Sequence, residues 1–101
     1  MFEAGGTVWF SPASAYEIAL KHRLGRLPEA RTLLASFETM LVGAGWQELP
    51  ILSAHMQTAG TLPLDHRDPF DRILAAQALT DGLTLVSRDA ALDQFGVRRL
   101  W

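Results

Sequence analysis

The stretch HRDPFDRILAAQALTDGLTLVS, residues 66–87, decides the fold of this chain. Asp68 is a favourable helix N-cap and Pro69 fits the first helical position, so a helix is predicted to begin there. The segment ILAAQAL is apolar nearly all round, which is typical of a helix packed on more than one side. Gly82 ends this helix, and residues 83–86 follow as a buried strand. A helix that leads directly into a buried strand is typical of a parallel α/β fold.

The rest of the chain continues this alternation of strands and helices. Ser11 is the predicted N-cap of a first helix that Gly25 closes in a left-handed conformation, and Ser53 is the predicted cap of a later helix. The further predicted elements are strands at 7–10, 46–49 and 97–100 and helices at 13–24, 28–41, 50–60 and 89–95. The pattern predicts one domain over residues 1–101, with a parallel sheet sandwiched between helices.

Composition restricts the kind of protein and the kind of site. The chain has 101 residues, of which 49% are hydrophobic and 20% charged, as in a folded domain with one core. Because there is no cysteine, any metal must be held by oxygen or imidazole ligands. No apolar run reaches the roughly 20 residues that span a bilayer, and the N-terminus does not resemble a signal peptide, so a cytoplasmic protein without membrane contact is expected.

The net charge of −2 is unfavourable for nonspecific binding of nucleic acid. An RNA substrate would therefore need a local cluster of cations, and the alternative interpretation of such a cluster is a solvated helix end. The candidate cations are Lys21, His22, Arg23 and Arg26, with Arg67 and Arg72 as further members. Nucleotide-binding glycine motifs are absent from the sequence, so the chemistry must lie in other residues.

Acidic residues follow the predicted strands. Glu17 lies on the first helix, Asp68 and Asp71 open the apolar helix, and Asp89 follows the TLVS strand, with Asp93 four residues later. Side chains beyond the carboxyl ends of parallel strands share one crevice. Carboxylates gathered there repel one another unless a cation neutralises them, and oxygen ligands suit Mg²⁺ or Mn²⁺. Such an ion activates water for attack on a phosphodiester.

Each of these acids also has a purely structural interpretation. Asp68, Asp71 and Asp89 fit helix starts, and Glu17 fits an i, i+4 pair with Lys21. The positions of two of these acids favour a catalytic or metal-binding role. Glu17 stands among apolar residues, and Asp71 directly precedes the apolar helix. The histidines, which are predicted on exposed helix positions or in a loop, have no partner at ligand spacing and are not expected to bind metal; they are His22, His55 and His66.

Three segments carry a resemblance to the VapC-like PIN domains. VWFSPASAYEIALKHRLGRL is similar to the second strand and helix of that family, HRDPFDRILAAQAL resembles its most recognisable signature, and GLTLVSRDAALDQFGVRRLW resembles its usual ending. The resemblance puts Glu17, Asp71 and Asp89 at the catalytic and metal-binding positions, with Asp68 as a further ligand. It implies a three-layer α/β/α fold and a Mg²⁺-dependent endoribonuclease toxin, dimeric and silenced by a cognate antitoxin.

The chain departs from this family at its start. Such proteins are expected to open with a strand that ends in an aspartate, whereas Met1 to Gly6 stand here. The absent strand would lie between the 7–10 strand and the 83–86 strand, so its loss is expected to expose apolar strand edges. Two alternatives remain open: an inactive or truncated remnant that binds only an antitoxin or its own copy, and an unrelated α/β module in which each acid is a helix cap.

Overall fold

Short strands and helices alternate along the part of the chain that the structure describes. The computed structural model describes residues 1–3, 5–26, 31–32, 35, 39, 43–63, 68–87 and 90–100. The helices are α1 (Pro12–Arg23), α2 (Ser53–Thr61) and α3 (Pro69–Asp81), followed by a 3-10 helix (Ala90–Phe95). The strands are β1 (Trp9–Phe10), β2 (Gln47–Glu48), β3 (Thr84–Val86) and β4 (Arg98–Leu100). The helix predicted at 28–41 falls mostly outside the described residues.

The ends of α1 and α3 follow from local chemistry that the sequence predicted. Ser11 Oγ accepts a hydrogen bond from the Ala13 N–H at 3.1 Å, which caps α1. Asp68 Oδ1 does the same for the Phe70 N–H at 2.9 Å at the start of α3. Gly82 ends α3 with a φ of 66°, a conformation that glycine adopts without strain. The caps predicted at Ser11 and Asp68 and the helix end predicted at Gly82 are confirmed.

The start of α2 differs from the prediction. Ser53 is the first residue of the helix and not its cap, and Leu52 occupies the N-cap position. The Leu52 N–H donates instead to Nδ1 of His55, at 2.9 Å. A side chain in the first turn therefore satisfies the backbone of the preceding residue, which is one half of the capping-box arrangement.

The strands form two parallel pairs. β1 pairs with β2, with Trp9 opposite Gln47, and β3 pairs with β4, with Leu85 opposite Arg99. The predicted α/β class with parallel strands is confirmed. The prediction of one continuous sheet is not, because the described strands form two separate two-stranded sheets.

Residues 1–3 lie between these two sheets. Phe2 makes antiparallel bridges to Val8 on one side and to Thr84 on the other. The Phe2 N–H donates to the Thr84 carbonyl at 3.1 Å, and the Thr84 N–H returns a bond to Phe2 at 2.9 Å. The sequence predicts exposed apolar strand edges here. At Val8 and Thr84 these edges are covered by the first residues of the chain.

The core surrounds α3, whose alanines allow neighbouring elements to approach closely. Ala75, Ala76, Gln77 and Ala78 are fully buried or nearly so, and α3 contacts α1, α2, β3 and the 3-10 helix. The buried cluster consists of Leu49, Ala75, Ala78, Leu83, Leu85, Leu92 and Phe95. The prediction that this helix packs on more than one side is confirmed. Within the described ranges, no helix combines the length and apolar composition needed to cross a bilayer.

Candidate functional site

Two packed helices carry three of the four predicted site residues. Glu17 lies on α1, while Asp68 and Asp71 lie at the N-terminal end of α3. The Tyr16 ring packs against the Phe70 ring, with 5.4 Å between centroids and a 34° angle between the ring planes. This tilted aromatic contact holds the two helices together beside the acidic residues.

Glu17 is a partly exposed carboxylate that already has a cationic neighbour. Its Oε1 lies 3.0 Å from Nζ of Lys21, and its side chain keeps 26% of its surface exposed. The predicted i, i+4 pair is thus present. Such pairs contribute only about 0.2–0.5 kcal/mol to the stability of a helix. The contact with Lys21 is therefore too weak to assign Glu17 a purely structural role.

Asp68 and Asp71 stand in the positive field of the first turn of α3. Asp68 uses Oδ1 to cap the helix, as described above, and is partly buried. Asp71 lies in the first turn and is also partly buried. Negative charge interacts favourably with the unpaired backbone N–H groups at a helix N-terminus. Both residues therefore stand where a carboxylate is stabilised whether or not a metal binds.

The described residues do not by themselves complete a metal centre. Asp89, the fourth predicted site residue, lies outside them. In the part of the chain that the structure describes, no three histidine, aspartate or glutamate side chains are grouped closely enough to hold an ion. The donor chemistry of Glu17, Asp68 and Asp71 nevertheless fits a hard divalent cation, which prefers carboxylate oxygens.

Asp93 is held by Arg99 through a two-pronged ion pair. The Arg99 guanidinium donates from Nε to Asp93 Oδ1 at 2.7 Å and from Nη2 to Oδ2 at 3.1 Å. Its Nη1 donates to the Ser87 carbonyl at 2.9 Å, at the end of β3. The hydrogen bonds from Arg99 lower the pKa of Asp93 below its ordinary value. Arg99 thereby joins the 3-10 helix to both strands of the β3–β4 pair.

The contacts of Arg72 are not those that the sequence suggested for it. Its Nε donates to the Ala59 carbonyl at 2.9 Å and its Nη2 to the Leu62 carbonyl at 2.6 Å. Its guanidinium also lies 5.9 Å from the centre of the Phe95 ring. The carbonyls at the C-terminus of a helix lack intrahelical hydrogen-bond partners. Arg72 donates hydrogen bonds to two such carbonyls at the end of α2. Arg72 therefore has a structural role at the end of α2, and its binding to phosphate stays a prediction.

The other predicted cations remain on the surface where they are described. Lys21, His22 and Arg23 form the last turn of α1, and Arg26 follows it; all four are exposed. Arg67 lies outside the described residues. Cations at a helix C-terminus also complement the helix dipole. Their position supports either a solvated helix end or a phosphate-binding surface.

His55 is buried, so the prediction of an exposed position is wrong. It is 2% exposed, and its Nε2 lies 3.0 Å from Oδ2 of Asp81 at the end of α3. Because Nδ1 accepts the Leu52 N–H, Nε2 carries the proton that Asp81 accepts. Both ring nitrogens are thus engaged, and His55 joins α2 to α3. The sequence carried no signal of this link, because Asp81 lies 26 residues after His55.

Residues 2–97 match the profile of the PIN domain family. The match extends over nearly the whole chain, and the chain belongs to the PIN domain family. Membership of this family indicates a nuclease in general terms. No curated protein and no solved structure matches the chain significantly.

Proposed function

We propose that this chain is a Mg²⁺- or Mn²⁺-dependent endoribonuclease of the VapC toxin type that hydrolyses RNA phosphodiesters in the cytoplasm. Membership of the PIN family supports a nuclease. The observation that carries the proposal is the contact between Tyr16 and Phe70, because it packs together the two helices that bear Glu17 and Asp71.

The site residues have distinct roles in this proposal. Asp71 is the main metal ligand, and Glu17 and Asp89 share the ion with it. Asp68 contributes the oxygen that is not used by the cap, since only Oδ1 accepts the Phe70 N–H. A divalent ion held by these oxygens supplies an activated water and stabilises negative charge on the phosphate.

The exposed end of α1 offers contacts for the RNA backbone. His22, Arg23 and Arg26 are exposed, and they lie on the same helix as Glu17 or directly after it. Phosphate contacts position a nucleic acid without reading its sequence. We propose that these residues hold the RNA strand beside the carboxylates, which compensates locally for the acidic net charge of the chain.

A toxin of this type works with protein partners. We propose a cognate antitoxin that blocks the acidic site, and a homodimer as the working assembly. These proposals rest on the resemblance to VapC-like proteins and are tested by co-expression with the antitoxin and by the mass of the purified protein in solution.

RNA cleavage by the purified protein tests the proposed activity. Folded RNA incubated with the protein and Mg²⁺ or Mn²⁺ should be cut, and a chelator should stop the reaction. Asp71→Asn and Glu17→Gln should each reduce the rate by at least about 100-fold, the scale expected when a general catalytic or metal-binding group is lost. Cleavage that persists in Asp71→Asn with excess chelator would contradict the proposal.

Two further variants make this experiment specific. Asparagine caps a helix as well as aspartate does, so Asp68→Asn should keep the melting temperature and lose activity only if the charge of Asp68 serves the metal. Glu48→Gln makes the same change as Glu17→Gln on an exposed residue of β2 and should leave the rate unchanged. A wild-type protein that cuts no RNA with either metal, yet binds an antitoxin, would support the inactive remnant instead.

A further inference from the structure

An exposed aromatic ring lies beside the candidate site. Tyr16 directly precedes Glu17 on α1. Its ring packs against Phe70, which lies between Asp68 and Asp71 at the start of α3. Despite this contact, 61% of Tyr16 is exposed, and among the described residues no other exposed large hydrophobic side chain is aromatic. Tyr16 is thus an aromatic surface next to the residues that are proposed to bind the metal.

The arrangement of the two rings leaves room for a further contact on Tyr16. Their planes meet at 34°, nearer to parallel than to perpendicular, so Phe70 lies against one side of the Tyr16 ring. A contact that only joins α1 to α3 gains most when both rings are buried, because the free energy comes mainly from the area removed from water. Phe70 is half-buried, whereas Tyr16 is mostly exposed. The exposure of Tyr16 is therefore more than its packing role requires.

Tyr16 shares one face of α1 with an exposed cation, Arg23. Each helical residue adds about 100° and about 1.5 Å, so Arg23 lies about 20° around α1 from Tyr16 and about 10 Å farther along it. Arg23 is exposed at the last position of α1. The residues of this face between them are Ala19 and Leu20, and neither is acidic. The face therefore combines a ring and a cation, the two groups that hold the bases and the phosphates of a nucleic-acid strand.

The charge of the site favours an uncharged contact for a nucleic acid. The carboxylates of the site repel phosphates, and the net charge of the chain is −2. Stacking of a base on an aromatic ring needs no opposite charge, and it strengthens binding by about fivefold or more for each base. A stacked base can therefore hold a strand beside Glu17 both with and without the metal.

We propose that the Tyr16 ring stacks on an unpaired base of the RNA substrate while Arg23 contacts a phosphate of the same strand. This inference rests on the proposed function, because it takes RNA as the ligand of the acidic site. Tyr16 positions the strand and takes no part in hydrolysis, since its side chain leaves α1 about 100° away from that of Glu17. A base inside a duplex has both faces stacked on its neighbours, so the ring selects an unpaired nucleotide.

Binding of short RNA in the presence of a chelator tests this proposal, because no metal-dependent cleavage then occurs. The probes are a fluorescently labelled oligoadenylate of about ten nucleotides and the same strand with abasic sugars at its central positions. By fluorescence anisotropy, the wild-type chain should bind the intact strand at least about fivefold more tightly than the abasic strand. Raising the salt from about 50 to about 150 mM should weaken both complexes and leave their ratio unchanged, since stacking is not ionic. Equal binding of the two strands, or no binding of oligoadenylate, would overturn the proposal.

Variants of Tyr16 separate stacking from a purely structural role of the ring. Tyr16→Leu keeps an apolar side chain against Phe70 and should reduce the ratio of the two affinities to less than about twofold, whereas Tyr16→Trp keeps a ring and should retain the ratio. Leu24→Ala is the control, because it removes an exposed apolar side chain from the end of the same helix and should leave the ratio unchanged. Melting temperatures establish that each variant is folded. A loss of affinity in Tyr16→Leu that is equal for both strands would assign the ring a structural role only and refute the proposal.

This experiment and the cleavage assay fail independently of each other. A chain that cuts RNA but binds the intact and abasic strands equally would refute the stacking role and leave the proposed nuclease intact. A chain that prefers the intact strand through Tyr16 but cuts no RNA with either metal would refute the nuclease and support the stacking role.

Discussion

Replacing Arg72 by methionine tests whether this residue serves the fold or the substrate. Arg72 donates to the carbonyls of Ala59 and Leu62 at the end of α2 and lies over the Phe95 ring. Methionine keeps an unbranched apolar chain against that ring and removes both donors. The change should therefore destabilise the protein by leaving two helix-terminal carbonyls without their partner.

The size of the effect follows from these contacts. A hydrogen bond from a charged donor contributes about 1.5–3 kcal/mol when buried, and Arg72 is only partly buried, so about 1 kcal/mol for each of the two bonds is expected. The cation–π contact adds about 0.5 kcal/mol, which the contact of the methionine sulfur with the ring partly replaces. Arg72→Met should lower the free energy of unfolding by about 2 kcal/mol.

Urea unfolding followed by circular dichroism measures this loss. With an m-value of about 1.5 kcal/mol per molar urea, a loss of about 2 kcal/mol lowers the midpoint by about 1.3 M. Arg23→Met is the matched control, since it removes the same charge from the exposed end of α1 and should change stability by less than about 0.5 kcal/mol. If Arg72→Met instead keeps the urea midpoint of the wild type and loses RNA binding, then Arg72 serves the substrate and does not stabilise the end of α2.

Three further changes test other contacts, each by urea or thermal unfolding. The pKa of Asp93 is lowered by Arg99, so this pair stabilises the fold above the ordinary pKa near 3.8 and loses its effect as the pH falls through the lowered value. Asp93→Asn should thus destabilise the protein at neutral pH, with a difference from wild type that disappears in acid; a difference independent of pH would contradict this assignment. His55→Ala should cost about 3 kcal/mol, from two hydrogen bonds and a cavity, and a cost below about 1 kcal/mol would disprove the buried linkage. Gly82→Ala should cost about 1 kcal/mol because of its positive φ, whereas Gly60→Ala, inside α2, should be stabilising, and equal effects would contradict the left-handed turn.

The elements that the sequence predicts well are those with local causes. α3 begins at Pro69 and is followed by Gly82 as predicted, because the cap, the proline and the glycine act within one turn of the helix end. The parallel direction of the strands also follows from the chain, since each strand is separated from the next by a helix. Local signals of this kind do not depend on where distant residues lie.

The predictions that fail concern partners far apart in the sequence. His55 was expected at an exposed helix position, yet it is buried and bonded to Asp81, 26 residues later. The structural contacts of Arg72 were not predicted either, because the carbonyls it binds lie at residues 59 and 62. The position of Phe2 between two sheets is likewise set by Thr84. None of these partners can be identified from residue type or periodicity.

The contacts that each acidic residue already makes differ in strength, which bears on the proposed choice of metal ligands. Both oxygens of Asp93 accept from one guanidinium, so a metal would have to displace a bidentate pair. Glu17 pairs with the ammonium group of Lys21 at a partly exposed position, where an ion pair contributes little to stability. Asp68 uses Oδ1 for its cap, while Oδ2 can still coordinate. The structural contacts of Glu17 and Asp68 are therefore compatible with the proposed roles as ligands, whereas a metal at Asp93 would have to break a bidentate ion pair.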